Sequence, residues 1–398
     1  MHRSLRSVPA LLLGAFVGCQ EQRISPDAGR AGPSFATTAA APSCPANPTV
    51  TVSDDTTLRA ALASAHPGDV IAVSGTIEVT ADDTIATDNV TLTCATPGSG
   101  LVARGLEVVD MITVLARGVV VDGLVLDGSR AFDAPWFAFN DGETAFAQDV
   151  RFTHNTVTCT LFGACAFVVG GTGAVVSDNQ FQATDAFTGV HLQANGPDPN
   201  VVFPIRIDGA RIERNTIVAL TPSVGVRFGA IRPFDADSVV IADNVISGPW
   251  RNGISQTRVS HSQIQRNQIS GAVVDGIRTA SFGAVPRGVA QTLFASNQVS
   301  GAGRAGIFAD RACSNQFASN DLRGNAGDLG LFLTDTTGAN VVAGVNNAVV
   351  IDNGAFDCDG DGRLDPNIIT GGVTHHQPAP PETSSATQPR RQGNPQPL

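Results

Sequence analysis

Apolar positions in this chain fall in short alternating runs, and the polar residue that ends many of those runs is the same one. Seven copies of a phrase (apolar strand, asparagine, brief apolar strand) read FTHNTVT, VSDNQFQ, IERNTIV, IADNVISG, IQRNQISG, FASNQVSG and FASNDLRG. Their asparagines are Asn155, Asn179, Asn215, Asn244, Asn267, Asn297 and Asn320, giving steps of 24, 36, 29, 23, 30 and 23 residues. A period with a floor of 23 and a variable excess is one structural rung plus loops of differing length.

Each rung divides into three strands. One starts with glycine, as in GVHLQA, GVRFGA, GISQTR, GIRTAS, GIFADR and GLFLTD; the second ends in the asparagine; the third is the short segment after it. Strands this short, with no helices between them, do not make a doubly wound sheet. Stacked in register they form three parallel sheets around one continuous core. Upstream, DVIAV, NVTLTC, MITVLA, GVVVDG and LVLDG are further strand-like runs. Before them, Asp54 or Asp55 can cap a helix whose Leu58, Ala61, Leu62 and Ala65 share one face. Such a helix covers the open apolar end that a solenoid presents. The expected fold is all-β, a parallel β-helix of about nine or ten rungs over residues 49–370, with an N-terminal capping helix.

The pattern resembles the right-handed parallel β-helix of the pectate-lyase-like superfamily, over about residues 50 to 355. The resemblance implies inward asparagines at the turn between second and third strands, stacked from rung to rung. Asparagine suits the left-handed backbone of a sharp turn, and its amides can bond along the stack. It also implies that polysaccharide lies along the Gly-led sheet, where the superfamily's lyases use a basic residue to take the proton beside a uronate carboxylate. The superfamily's clustered acidic calcium ligands on that sheet, and the aspartate motifs of its polygalacturonases, have no counterpart here.

Period-two alternation sends Val190, Leu192, Val226, Phe228, Ile277, Thr279, Ile307 and Ala309 inward. The outward file is then His191, Arg227, Ser255, Arg278, Phe308 and Phe332, and a second file runs Gln193, Gly229, Thr257, Ala280, Asp310 and Thr334. Rungs are roughly 4.8 Å apart, so His191 and Arg227 would be neighbours, with Arg278 two rungs further on. The expected catalytic set is His191, Arg227 and Arg278. Elimination needs an offset for the carboxylate, a base and a proton donor. The arginines can offset the charge, or one can be the base, with His191 as acid or base. Segments NGPDPNVVFP, IRPFDAD, FGAVPRG and GPWRN are expected to be loops walling a groove, with Gln193, Arg232, Trp250, Arg251 and Asp310 contacting the glycan. His154 and His261 are read as structural.

Composition narrows the chemistry. All 25 basic residues are arginine and tyrosine is absent, which excludes lysine Schiff-base and tyrosine acid–base chemistry. A net charge of -11 argues against nucleic acid as a partner. Arg3 and Arg6 precede a short apolar run, Val8 to Val17, ending in FVGC, which resembles the bacterial lipobox. Residues 1–18 then read as a signal peptide, Cys19 as the lipidated residue, and 19–48 as a flexible tether. Gln20 at the next position favours the outer membrane of a diderm bacterium by that same resemblance. The expected protein is an extracytoplasmic, membrane-anchored monomer with a disordered Pro/Gln-rich tail at 371–398.

Export implies an oxidising compartment for the remaining six cysteines. Six cysteines allow 15 pairings, and the rung arrangement prefers Cys44–Cys94, Cys159–Cys165 and Cys313–Cys358. Near the end, DCDGDGRLDPN matches the first half of an EF-hand-like or thrombospondin-type-3-like calcium loop. Asp357, Asp359, Asp361 and Asp365 would supply side-chain oxygens and Arg363 its carbonyl. Ile368 stands where such loops carry their last glutamate, and a bound ion would be structural.

Overall fold

A computed structural model describes residues 44–45, 47–160, 163–195, 205–221, 229–280, 288–344, 349–370 and 373–376. Among these the chain winds as a right-handed parallel β-helix. The first sheet stacks 13 strands, from Val50–Val52 to Ile368–Thr370; the second stacks nine, from Thr76–Val79 to Gln298–Ser300. The third has 16 strands and runs from Asp83–Ile85 to Val373–His376. The first sheet exceeds nine or ten strands because coils at both ends lack the asparagine that marks the sequence repeat. The core is one apolar column, with Ile71, Leu92, Val121, Phe152, Val176, Ile212, Ile241, Ile264, Phe294 and Phe317 following one another in the first sheet.

The seven asparagines are buried and bonded into one ladder. Asn155, Asn179, Asn215, Asn244, Asn267 and Asn297 each donate Nδ2 to the Oδ1 of the next, at 3.1, 2.9, 3.0, 3.0, 3.0 and 2.9 Å. The same oxygens also accept backbone N–H groups from the preceding asparagine, as in Asn215 N to Asn244 Oδ1 at 3.0 Å. None of the seven has a positive φ. The left-handed residue is the one before each: His154, Asp178, Arg214, Asp243, Arg266, Ser296 and Ser319, with φ between 53° and 60°. The bend therefore falls on an exposed or half-exposed neighbour, and asparagine serves the turn through its amide. In the coil that precedes the ladder, Gly123 takes the bent place at φ 72°. A shorter ladder that the repeat did not reveal, Asn315–Asn340–Asn367, lines the turn from the third sheet into the first at 3.1 and 2.9 Å.

The N-terminal end is closed by the helix Asp55–Ala63. Asp54 is its cap, forming a reciprocal capping box with Thr57, and Leu58 and Leu62 are buried on the core. Beneath it sits Asp83, fully buried, with its Oδ1 held by Arg59 Nε at 3.2 Å. Burial raises the Asp83 carboxyl to about 7 and, with the charge of Asp133 adding to it, the Asp110 carboxyl to about 8; burial raises Asp133 as well. An unfolded aspartate loses its proton near 3.8, so between that value and 7 to 8 unfolding releases protons. Stability then falls as pH rises through this window, by up to about 1.4 kcal/mol per pH unit for each proton held. The unfolding temperature is expected to be lower at about pH 8 than at about pH 5, with Asp110→Asn flattening the slope. A flat or rising profile would contradict this.

Cys44–Cys94, Cys159–Cys165 and Cys313–Cys358 are bonded as the rung arrangement prefers. The first and third lie near the two ends of the β-helix, and the second links residues six apart in sequence.

Candidate functional site

The third sheet carries the candidate site because its outward residues form a file of rings and cations. In register, Thr113, Phe137, Phe167, His191 and Arg232 follow one another. Ser255, one place beyond the Ile231–Ile254 pair, continues the file, then Arg278, Phe308 and Phe332. Val190, Leu192, Ile231, Ile254, Ile277 and Ile307, the alternate positions, lie in the core. Aromatic rings thus stand at both ends of a polar, cationic centre.

Here the register departs from the sequence expectation. The strand opposite Thr188–Gln193 is Gly229–Asp237, and His191 faces Arg232, not Arg227. Arg227, within 222–228, lies outside the described residues, and so does Cys19, within 1–43. Two frames five residues apart each offer an arginine flanked by apolar residues, so alternation cannot choose between them. Pairing of Ile231 with both Val190 and Ile254 decides the matter. It also turns IRPFDAD from a loop into strand and puts Phe234 in the second file between Gln193 and Thr257, where Gly229 was expected. Trp250 is likewise corrected. Its ring is fully buried in the core and cannot wall a groove. Arg251 is half-buried beside the file, and Asp310 is tied to its own neighbourhood, accepting Thr336 Oγ1 at 2.7 Å.

His191 is only 6% exposed and its ring lies flat on Phe167, with centroids 4.6 Å apart and planes 2° from parallel. Arg232 Nη1 donates to His191 Nε2 at 3.4 Å. A guanidinium only donates, so Nε2 is the acceptor and the neutral ring carries its proton on Nδ1. Burial, then the charge of Arg232, holds the imidazole pKa well below its ordinary value, so His191 is neutral at pH 7. Burial brings Arg232 down to about 10, which leaves it cationic. Arg278 is lowered too, by burial first, then by the nearby charges of Arg304 and Arg251 against the opposing pull of Asp275. Arg304 is committed to Asp275, with Nε to Oδ1 at 2.8 Å, and lies over the Phe308 ring at 3.7 Å. Arg278 approaches the same ring at 5.6 Å. Such a centre can attract an anion, and its neutral imidazole can accept a proton.

His154 and His261 each bond an aspartate of the neighbouring coil, Asp122 and Asp237, both at 2.8 Å. In the acidic turn the carboxylates of Asp357, Asp359 and Asp361 converge, their ligand atoms within 4.8 Å of one another. Asp357 accepts Gly360 N and Gly362 N, while Asp365 aims its Oδ2 at Cys358 N at 2.9 Å and pairs in strand with Phe356. The first three would suit a hard cation, with Arg363 following in the same turn; Asp365 is engaged by its own backbone surroundings.

A family described as "Right handed beta helix region" matches residues 205–369. No curated protein matches the chain. Among solved structures, DFA-IIIase from Arthrobacter chlorophenolicus A6, without its lid and in complex with GF2, is similar at 11% identity and TM-score 0.51, covering 79% of this chain and 92% of that one. The A-module of the Azotobacter vinelandii mannuronan C-5 epimerase AlgE4 is similar at 14% identity and TM-score 0.44, covering 82% and 94%. The Dettilon tailspike protein is similar at 9% identity and TM-score 0.43 over 79% of this chain, which spans 64% of the tailspike's length. At these identities the likeness is one of fold.

Proposed function

We propose that this β-helix works outside the cytoplasm on an acidic polysaccharide laid along its third sheet, and that it cleaves a uronate-containing chain by elimination. One observation carries the reading: a neutral, buried imidazole and two guanidinium groups share a single outward file between aromatic rings. Coils are roughly 4.8 Å apart, so Arg232 and Arg278 stand about 10 Å from each other. Each guanidinium then meets its own carboxylate on a polymer, and half-buried Phe137 and Phe332 stand towards the two ends of the file, where sugar rings can lie. A carboxylate drawn to Arg232 competes with His191 for that guanidinium. It frees Nε2 to take the proton next to the carboxylate, whose developing charge Arg232 offsets. The electron pair then forms the ring double bond as the glycosidic C–O bond breaks, and the departing oxygen takes its proton from the imidazolium or from water.

The double variant Arg232→Ala/Arg278→Ala is expected to weaken binding of oligouronates by roughly 100-fold, as loss of two partly desolvated charge pairs implies. Titration calorimetry reads this directly, and affinity equal to the unaltered protein would remove the reading. We propose further that a lipid on Cys19 tethers the protein to a membrane. Cys19→Ala is then expected to move it to the soluble fraction of fractionated cells, and continued sedimentation with membranes would refute the tether.

A further inference from the structure

A concavity lies away from the His191 file, at the corner where the third sheet feeds the first. It has a volume of about 520 Å³ and spans three successive coils. One row of its lining is His261, Gln291 and Ser314, each at the bent position of its turn with φ of 49°, 51° and 57°. The other is Gln263, Leu293 and Gln316, paired directly across the first sheet. Equivalent positions on three coils present polar groups at steps of roughly 4.8 Å along the helix axis.

The charge of this groove is as informative as its shape. Among the described residues its lining contains no carboxylate and no guanidinium, and its one titratable group, His261, gives Nδ1 to Asp237, which Ser260 also bonds. Among the described lining residues an ionic ligand meets no counter-charge. What is offered is amide and hydroxyl: Gln263, Gln291 and Gln316 are exposed, and the side chains of Gln291 and Gln316 make no hydrogen bond among the described residues. Amides pair donor and acceptor in one plane, matching a hydroxyl that both gives and takes a hydrogen bond. The volume lies within the usual range for ligand sites, and half-buried Leu293 supplies an apolar floor between the glutamines.

We infer that this groove is a second binding site, for an uncharged, hydroxyl-rich saccharide segment lying along the helix axis. It is independent of the acidic-glycan reading, since it uses another face and other chemistry. The test is titration of the full chain with three neutral oligosaccharides, a β-glucan, an α-glucan and a mannan fragment, each up to about 10 mM. At least one is expected to bind, and Gln291→Ala/Gln316→Ala is expected to weaken it by roughly tenfold or more. The same variant should leave oligouronate binding unchanged, while Arg232→Ala/Arg278→Ala should leave neutral-sugar binding unchanged. Exposed glutamines can be removed without disturbing the fold, which the unfolding temperature verifies. Failure of all three sugars to bind overturns the inference. So does equal binding by the glutamine variant, or a loss that follows the arginines.

Discussion

Asn244→Ala is expected to destabilise the fold by about 4 kcal/mol, because each buried group left without a partner costs about 1–3 kcal/mol. Asn244 Nδ2 donates to Ile212 O at 2.8 Å and to Asn267 Oδ1 at 3.0 Å, while its Oδ1 accepts Asn215 N and Asn215 Nδ2, both at 3.0 Å. Alanine restores none of these. No water reaches the site from outside, since Asn244 is fully buried. Arg266→Ala is the control. It removes an exposed bidentate pair with Asp243 one position before the ladder, and such surface pairs contribute less than about 1 kcal/mol. Denaturant unfolding of both variants measures the difference; similar losses would mean the ladder is not a main source of stability.

His191→Phe is expected to leave binding and folding intact and to lower depolymerisation of a uronate polymer by roughly 100-fold or more, the usual contribution of a positioned acid or base. Phenylalanine keeps the flat contact with Phe167, whose centroid lies 4.6 Å from the imidazole, but cannot accept a proton. Release of unsaturated sugar, followed by ultraviolet absorbance, gives the rate. Full activity in this variant removes His191 from the chemistry. Binding without turnover in the unaltered protein would instead make the file a recognition surface on a non-catalytic solenoid.

The architecture was legible because its signals are local and repeated. Asparagine at steps of 23 to 36 residues marks every coil from Asn155 to Asn320, and alternation around Val190, Ile277 and Ile307 marks the core face. Coils at the two ends lack that asparagine, so their number could not be read. Half of the candidate file was equally visible: His191, Ser255, Arg278, Phe308 and Phe332 sit in strands whose leading glycine fixes the frame. Arg232 was placed in a loop because GVRFGA and IRPFDAD both satisfy alternation, and only pairing of Ile231 across two coils separates them. Trp250 looked like a groove residue from its flanking Gly248, Pro249 and Arg251, yet its bulk fills the interior. The other aromatic end, Phe137 and Phe167, depends on register over many coils, which no single segment records. The neutral groove escaped for a related reason, as Gln263, Gln291 and Gln316 are unremarkable alone and meaningful only as a stack.

The most direct measurement is a crystal structure of the protein soaked with a defined oligouronate. Density for the sugar should run along the third sheet, with one carboxylate on Arg232, another on Arg278, Ser255 beneath the residue between them, and His191 Nε2 facing a ring proton next to a carboxylate. An oligomer bound on any other face, or one whose carboxylates avoid both guanidinium groups, would contradict the account.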